Sequence, residues 1–306
     1  MAITIDFHTH LLEKDVNPKD YWKAVKAKNI DAVAMTEHVF EDPAKAYQKA
    51  FEKKPKAKTL IPGMELETSI GHVLALAEDT SLFGIEELYK KGIDIKKAIG
   101  IAEEENVLLS IAHPWGLDYD SAAYVYGEKK LGNLVENENI GVEAFNGLVG
   151  NVGSFFYDTN WVKKPMNFFD YLEKSKIAKK TRISKIAKKG KEKLDNKGKE
   201  ILERCIKPFE LAQKASFVTA GSDAHNPERI GTGITKLKAE KKASPKKILE
   251  KLQDKKNVEW VGPNVEEAKN GYKMEKMTIQ KKEFISGVKY AAKQAIIKKV
   301  KKRIEK

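Results

Sequence analysis

Six histidines, and the places they occupy, constrain this chain more than any other feature. His8, His10, His38, His113 and His225 each stand at the end of a short apolar run or in the few residues after it, and His72 opens one. The runs are Ile3–His8, Ala32–Thr36, Leu60–Leu66, His72–Ala77, Val107–Ala112, Gly141–Phe145 and Ser216–Ala220, with a last one at Val258–Val261. Helix-period stretches such as Tyr21–Lys28, Ile95–Glu105 and Pro245–Leu252 lie between them. Alternation of this kind predicts a parallel α/β sheet or barrel. Packing histidines would be scattered, whereas these gather at strand ends, as metal ligands do. Residues i and i+2 of a strand face the same way. His8 and His10 of DFHTH can therefore meet one ion, and Asp223 and His225 of GSDAH repeat the spacing.

The chain has 306 residues, a length that fits one or two domains, and its 41% hydrophobic content excludes wholesale disorder. A single cysteine, Cys205, excludes a disulfide framework and a thiolate metal cage. No apolar run approaches the roughly 18–20 residues of a membrane span. The first residues lack the basic and apolar regions of a signal peptide, so a cytoplasmic protein is expected. Charge is unevenly divided. Residues 1–150 carry 17 Lys+Arg against 25 Asp+Glu, and residues 151–306 carry 40 against 19. Only Arg182, Arg204, Arg229 and Arg303 are arginine, which favours phosphate attraction over base readout. The basic half is either a non-specific nucleic-acid contact surface or a compositional habit of the source.

Two segments break the alternation. Residues 151–207 form a long basic insertion in which SKIAKK occurs twice, at Ser175–Lys180 and Ser184–Lys189. In the tail, 263–306, Phe284, Val288, Ala292, Ile296, Val300 and Ile304 recur every four residues, as in an amphipathic helix.

DFHTH, MTEH (Met35–His38), PGMELE (Pro62–Glu67), HVLAL (His72–Leu76), AHP (Ala112–Pro114), GVEAFNG (Gly141–Gly147) and GSDAH form an ordered series that resembles the PHP (polymerase and histidinol phosphatase) superfamily of metal-dependent phosphoesterases. The resemblance spans about residues 3–262 and implies an α/β fold, a distorted (β/α)7 barrel. To it the sequence adds a lysine-rich helical insertion and the C-terminal amphipathic helix. It also implies two or three divalent ions at the barrel mouth. A first ion would take His8, His10, Glu65 and Asp223, and a second His38, His225 and an acid after the HxH. A third would take His72 and His113, with Glu65 bridging. The matching acid is Asp15, with Glu13 the alternative. Glu143 matches a family acid near the site. Glu37 stands where the family usually has aspartate, and Asp6 suits a supporting role rather than ligation. Glu65, His113 and Arg229 are the expected catalytic residues, with Arg229 in NPERIG either a phosphate clamp or a surface ion pair. Trp115 either stacks on a substrate base or packs, and Gly231–Gly233 (GTG) suits a turn.

Imidazole and carboxylate without thiolate suit Mn²⁺, Zn²⁺ or Fe²⁺. The expected activity is hydrolysis of a phosphate mono- or diester by a metal-activated hydroxide. The substrate would be a nucleotide, an oligonucleotide end or a small phosphorylated metabolite. An amidohydrolase-like metal hydrolase is one alternative, although it would normally carry a bridging lysine. A nucleic-acid-binding module on a PHP scaffold is another.

Overall fold

The computed structural model describes residues 1–150, 192 and 203–263. The SKIAKK repeat, most of the basic insertion and the amphipathic tail lie outside the described residues. Residues 1–150 and 204–263 belong to one compact unit.

The strands are β1 (Ala2–Thr9), β2 (Ala32–Met35), β3 (Thr59–Thr68), β4 (Gly71–Leu76), β5 (Leu108–Ile111), β6 (Gly141–Asn146), β7 (Val218–Gly221), β8 (Gly233–Lys238) and β9 (Val258–Pro263). The helices are α1 (Pro18–Ala27), α2 (Pro43–Glu52), α3 (Ile95–Glu104), α4 (Glu128–Asn137), α5 (203–214) and α6 (Pro245–Leu252). Proline at the first turn and a side-chain cap start several of them. Asn17 accepts from the Lys19 N–H before α1, Asp42 from Lys45 before α2, and Ser244 from Lys247 before α6.

One sheet runs in the order β7-β6-β5-β4-β3-β2-β1-β8-β9. The pairs β1–β2, β2–β3, β5–β6 and β6–β7 are parallel. The pairs β3–β4, β4–β5, β1–β8 and β8–β9 are antiparallel. This differs from the seven-fold strand–helix repeat expected from the resemblance. Only Ser69 and Ile70 separate β3 from β4, which is too short for the crossover a parallel pair requires. β8 was not foreseen in the sequence, because its Gly-Ile-Thr-Lys-Leu-Lys pattern follows directly on the GTG turn. Side chains of β2 alternate between two cores. Val33 and Met35 pack with Tyr21, Trp22 and Ala46 of α1 and α2, whereas Ala32 and Ala34 pack with Ile3, Ile5, Phe7 and Ile61. Among the described residues no helix is long and apolar enough to cross a membrane.

The sheet curls until the chain after β7 meets the end of β1. Asp223 N–H donates to His8 O at 2.8 Å, His10 N–H donates to Ala224 O at 3.0 Å, and Thr9 bridges Ala224 in parallel. The D-x-H segment thus completes the barrel against the H-x-H segment. Gly221 makes this approach possible, since a Cβ there would lie 2.5 Å from the His8 backbone nitrogen. Asp6 pins the closure, accepting N–H bonds from Ser222 (2.8 Å), Gly231 (2.7 Å) and His8 (3.2 Å). Burial nevertheless pushes its carboxyl up to about 6. Gly221→Ala forces backbone apart at the closure. It should destabilise the protein by about 1–3 kcal/mol, read from the urea midpoint, and an unchanged midpoint would contradict the close approach.

Candidate metal centre

β1 carries His8, and His10 follows one residue past its end. After β2 the chain runs on beside β3, so that His38 bridges Glu65. Glu65 lies inside β3. His72, on the antiparallel neighbour β4, is paired with Glu67 two residues away and so shares the Glu65 face. His113 follows β5, and Asp223 and His225 follow β7. His113 (φ 28°) and Asp223 (φ 51°) both have left-handed backbone. Strain of this kind costs on the order of 1–3 kcal/mol and clusters at functional sites. Here it turns the two side chains off their strand ends into the mouth.

The buried Glu65 carboxylate is the hub. Its Oε2 lies 3.5 Å from His8 Nε2, 3.5 Å from His10 Nε2 and 2.9 Å from His38 Nδ1. Its Oε1 lies 3.0 Å from His72 Nδ1 and 3.1 Å from His113 Nε2. Asp223 Oδ1 completes the first group at 3.7 Å from His8 Nε2 and 3.4 Å from His10 Nε2. Tetrahedral ligands about 2.1 Å from a metal ion are about 3.4 Å apart, close to the spacings found here. Four buried atoms, His8 Nε2, His10 Nε2, His38 Nδ1 and Glu65 Oε2, make no hydrogen bond. Leaving such atoms unpaired is costly, and a shared cation satisfies all four together. Three overlapping ligand triads result: His8–His10–Glu65, His38–Glu65–His72 and His10–His38–His225. The residues present therefore fit divalent ions.

The other ring nitrogens are held from behind. His8 Nδ1 lies 3.0 Å from Glu143 Oε1, and His10 Nδ1 lies 3.3 Å from Glu37 Oε1. Glu143 also accepts from the His113 N–H at 2.7 Å, and Glu37 accepts from the N–H groups of Leu11 and Leu12 at 2.8 and 2.5 Å. Carboxylates placed this way fix the tautomer and direction of a ligating imidazole. Both acids thus orient histidines. Asp6 holds backbone N–H groups and the Ser222 side chain, as a supporting residue does.

Electrostatics follow from this crowding. Burial disfavours a charged His38, but Glu65 and Glu13 outweigh it and raise its pKa to about 10. Burial likewise opposes a charged His113, which Glu65 and Asp120 bring up to about 9. Glu65 and Asp223 are buried too, yet the surrounding histidines hold both well below the usual carboxylate range.

The expectation for Asp15 is corrected. Its side chain is exposed, and its φ of 48° sits in a turn closed by the Asp15 N–H donating to Leu12 O. Leu11 and Val16 are buried on either side, and this anchoring turns Glu13 inward instead. Glu13 Oε2 lies 2.5 Å from His225 Nε2 and 3.6 Å from His38 Nε2. Trp115 is buried and donates from Nε1 to Glu128, so it packs. Arg229 is buried at the end of the short turn Pro227–Arg229. Gly231 does turn (φ 74°), but Gly233 opens β8 against the Gly221 carbonyl. Sequence reasoning missed Asn146, whose Nδ2 donates to Glu143 Oε2 at 3.0 Å and Asp223 Oδ2 at 3.2 Å. Its only signal was its place three residues after Glu143. It also missed Asp120 and Ser121 behind His113.

A family model described as PHP-associated (PHP_C) matches residues 210–257, the stretch that holds β7, Asp223, His225, β8 and α6. The chain thus carries a PHP-associated segment within its described unit. None of the curated proteins compared matches it. Among solved structures, a two-domain protein from Bacteroides vulgatus containing a predicted PHP-like metal-dependent phosphoesterase is 17% identical, with a TM-score of 0.46 over 84% of this chain and 64% of that one. PsfC from Pseudomonas syringae is 14% identical, with a TM-score of 0.45 over 82% of this chain and 89% of that one. The present chain thus spans less than two thirds of the Bacteroides vulgatus protein.

Two outcomes are expected of this cluster. Glu13→Gln lowers the metal retained after gel filtration, whereas Asp15→Asn leaves it unchanged; the reverse would restore Asp15. Ions entering the site also displace protons from His38 and His113, so Mn²⁺ uptake at about pH 7.5 releases protons and weakens as pH falls. Calorimetry in two buffers of different ionisation enthalpy measures the release, and a heat independent of buffer would contradict it.

Proposed function

We propose that this cluster is the active centre of a metal-dependent phosphoesterase. The observation that carries the reading is the Glu65 carboxylate, whose two oxygens face separate sets of histidines as a bridging ligand's would. The first ion is assigned to His8, His10, Glu65 and Asp223, and the second to His38, His225 and Glu13. His72 and His113 with Glu65 are assigned to a third. Mn²⁺, Zn²⁺ and Fe²⁺ all suit imidazole and carboxylate ligands. When bound, such ions polarise phosphoryl oxygens and lower the pKa of water.

The chain's own groups do the rest. Glu143 and Glu37 hold the Nδ1 atoms of His8 and His10, which keeps each Nε2 turned toward the cluster. Asn146 ties Asp223 to Glu143 and limits its rotation. Arg229 is assigned to the substrate phosphate, where a guanidinium can make two parallel bonds. The bridging position holds a glutamate rather than a lysine, which favours this reading over an amidohydrolase-like one. The substrate class is a phosphate mono- or diester. The excess of 40 Lys+Arg over 19 Asp+Glu in residues 151–306 favours a polyanionic substrate such as an oligonucleotide end.

Protein loaded with Mn²⁺ or Zn²⁺ should hydrolyse aryl phosphate mono- or diesters. His8→Ala should abolish turnover, and Arg229→Ala should raise KM with little change in kcat. A fully loaded protein inert toward both ester classes, oligonucleotides included, would overturn the proposal.

A further inference from the structure

The ligand histidines are not all held alike. Carboxylates back His8 and His10, and the Asp223 carbonyl oxygen lies 3.0 Å from His225 Nδ1. His113 is different. Its Nδ1 lies 3.2 Å from Ser121 Oγ, and that hydroxyl donates to Asp120 Oδ1 at 2.9 Å. Asp120 and Ser121 are both buried. A serine hydroxyl has one proton. With that proton given to Asp120, Oγ can only accept from His113, which places a hydrogen on Nδ1. Nε2 is then the nitrogen that faces Glu65 Oε1 at 3.1 Å and that would give up its proton to take an ion.

Asp120 also holds the second histidine of this group. Its carbonyl accepts the His72 N–H at 2.8 Å. The contact needs Gly71, which has a φ of 113° and where a Cβ would fall 2.4 Å from that same oxygen. The segment is fixed at both ends, by Gly116 N–H donating to His113 O at 2.7 Å and Ala123 N–H donating to Pro114 O at 2.9 Å. A π-helical turn, Ala123–Gly127, follows at once. Such turns occur often at functional sites.

We propose that Asp120 and Ser121 are a positioning pair for a third divalent ion, held by His72, His113 and Glu65 Oε1. The Ser121 hydroxyl then controls occupancy of that position and leaves the His8–His10–Asp223 position untouched. This rests on the metal-centre reading above, but its test uses no substrate, so failure of the phosphoesterase reading would leave it standing.

The experiment counts ions per chain by elemental analysis and titrates Co²⁺ by its visible absorption. It uses the full-length wild type, Ser121→Ala, Ser121→Thr and Glu37→Gln. The wild type should hold three ions. Ser121→Ala should hold two, with the weakest step loosened about ten- to hundred-fold. Ser121→Thr, which keeps the hydroxyl, should recover the third, and Glu37→Gln should weaken a tighter step instead. Thermal melting in chelator should match for the wild type and both serine variants; should Ser121→Ala not fold, Asp120→Asn is measured for the same selective loss. Three ions at wild-type affinity in Ser121→Ala, equal loss at every step, or only two ions in the wild type would each overturn the proposal.

Discussion

A carboxylate buried alone would cost several kcal/mol, and Glu65 is a carboxylate buried at the meeting point of three strand ends and their loops. It is stable there only because positive charge surrounds it, as protonated imidazole or as bound cations. That requirement governs the architecture. Five histidines from four parts of the chain must reach within 3.5 Å of its two oxygens. Only a curled sheet whose strand ends converge can bring them there.

The same convergence explains why the barrel closes through its functional motifs. Thr9 pairs with Ala224 between the histidine pair and the Asp223–His225 pair. The candidate ligands and the sheet closure therefore share backbone. Gly221, Gly233 and the Asp6 carboxylate allow the strands to approach without side chains between them. Stability at this edge is given up for geometry. A more conventional closure would fill the space with β-branched residues and push His8 away from Asp223.

Most of the residues that meet around Glu65 were legible in the sequence because two simple rules place them: strand periodicity puts His8 beside His10, and strand ends gather at one face. What lay beyond those rules was not legible. Glu13 and Asp15 flank Lys14 in one turn, and a single left-handed residue decides which of them turns inward. β8 alternates Ile234 and Lys236 with Thr235 and Leu237, a signal too weak to stand against the adjoining glycines. Asn146 and Asp120 reach Asp223 and His72, both distant in sequence, and Ser121 meets His113 across an irregular loop, so no local pattern displays them. The antiparallel β3–β4 pair was not legible either, because both strands extend beyond the apolar runs Leu60–Leu66 and His72–Ala77 and leave only Ser69 and Ile70 between them.

Because Glu65 turns one oxygen toward His8, His10 and His38 and the other toward His72 and His113, ions held on its two sides would share a single negative charge. Each ion would then find less of that charge after the other had bound. Loading would be graded, with a tighter interior and a looser, more exchangeable rim.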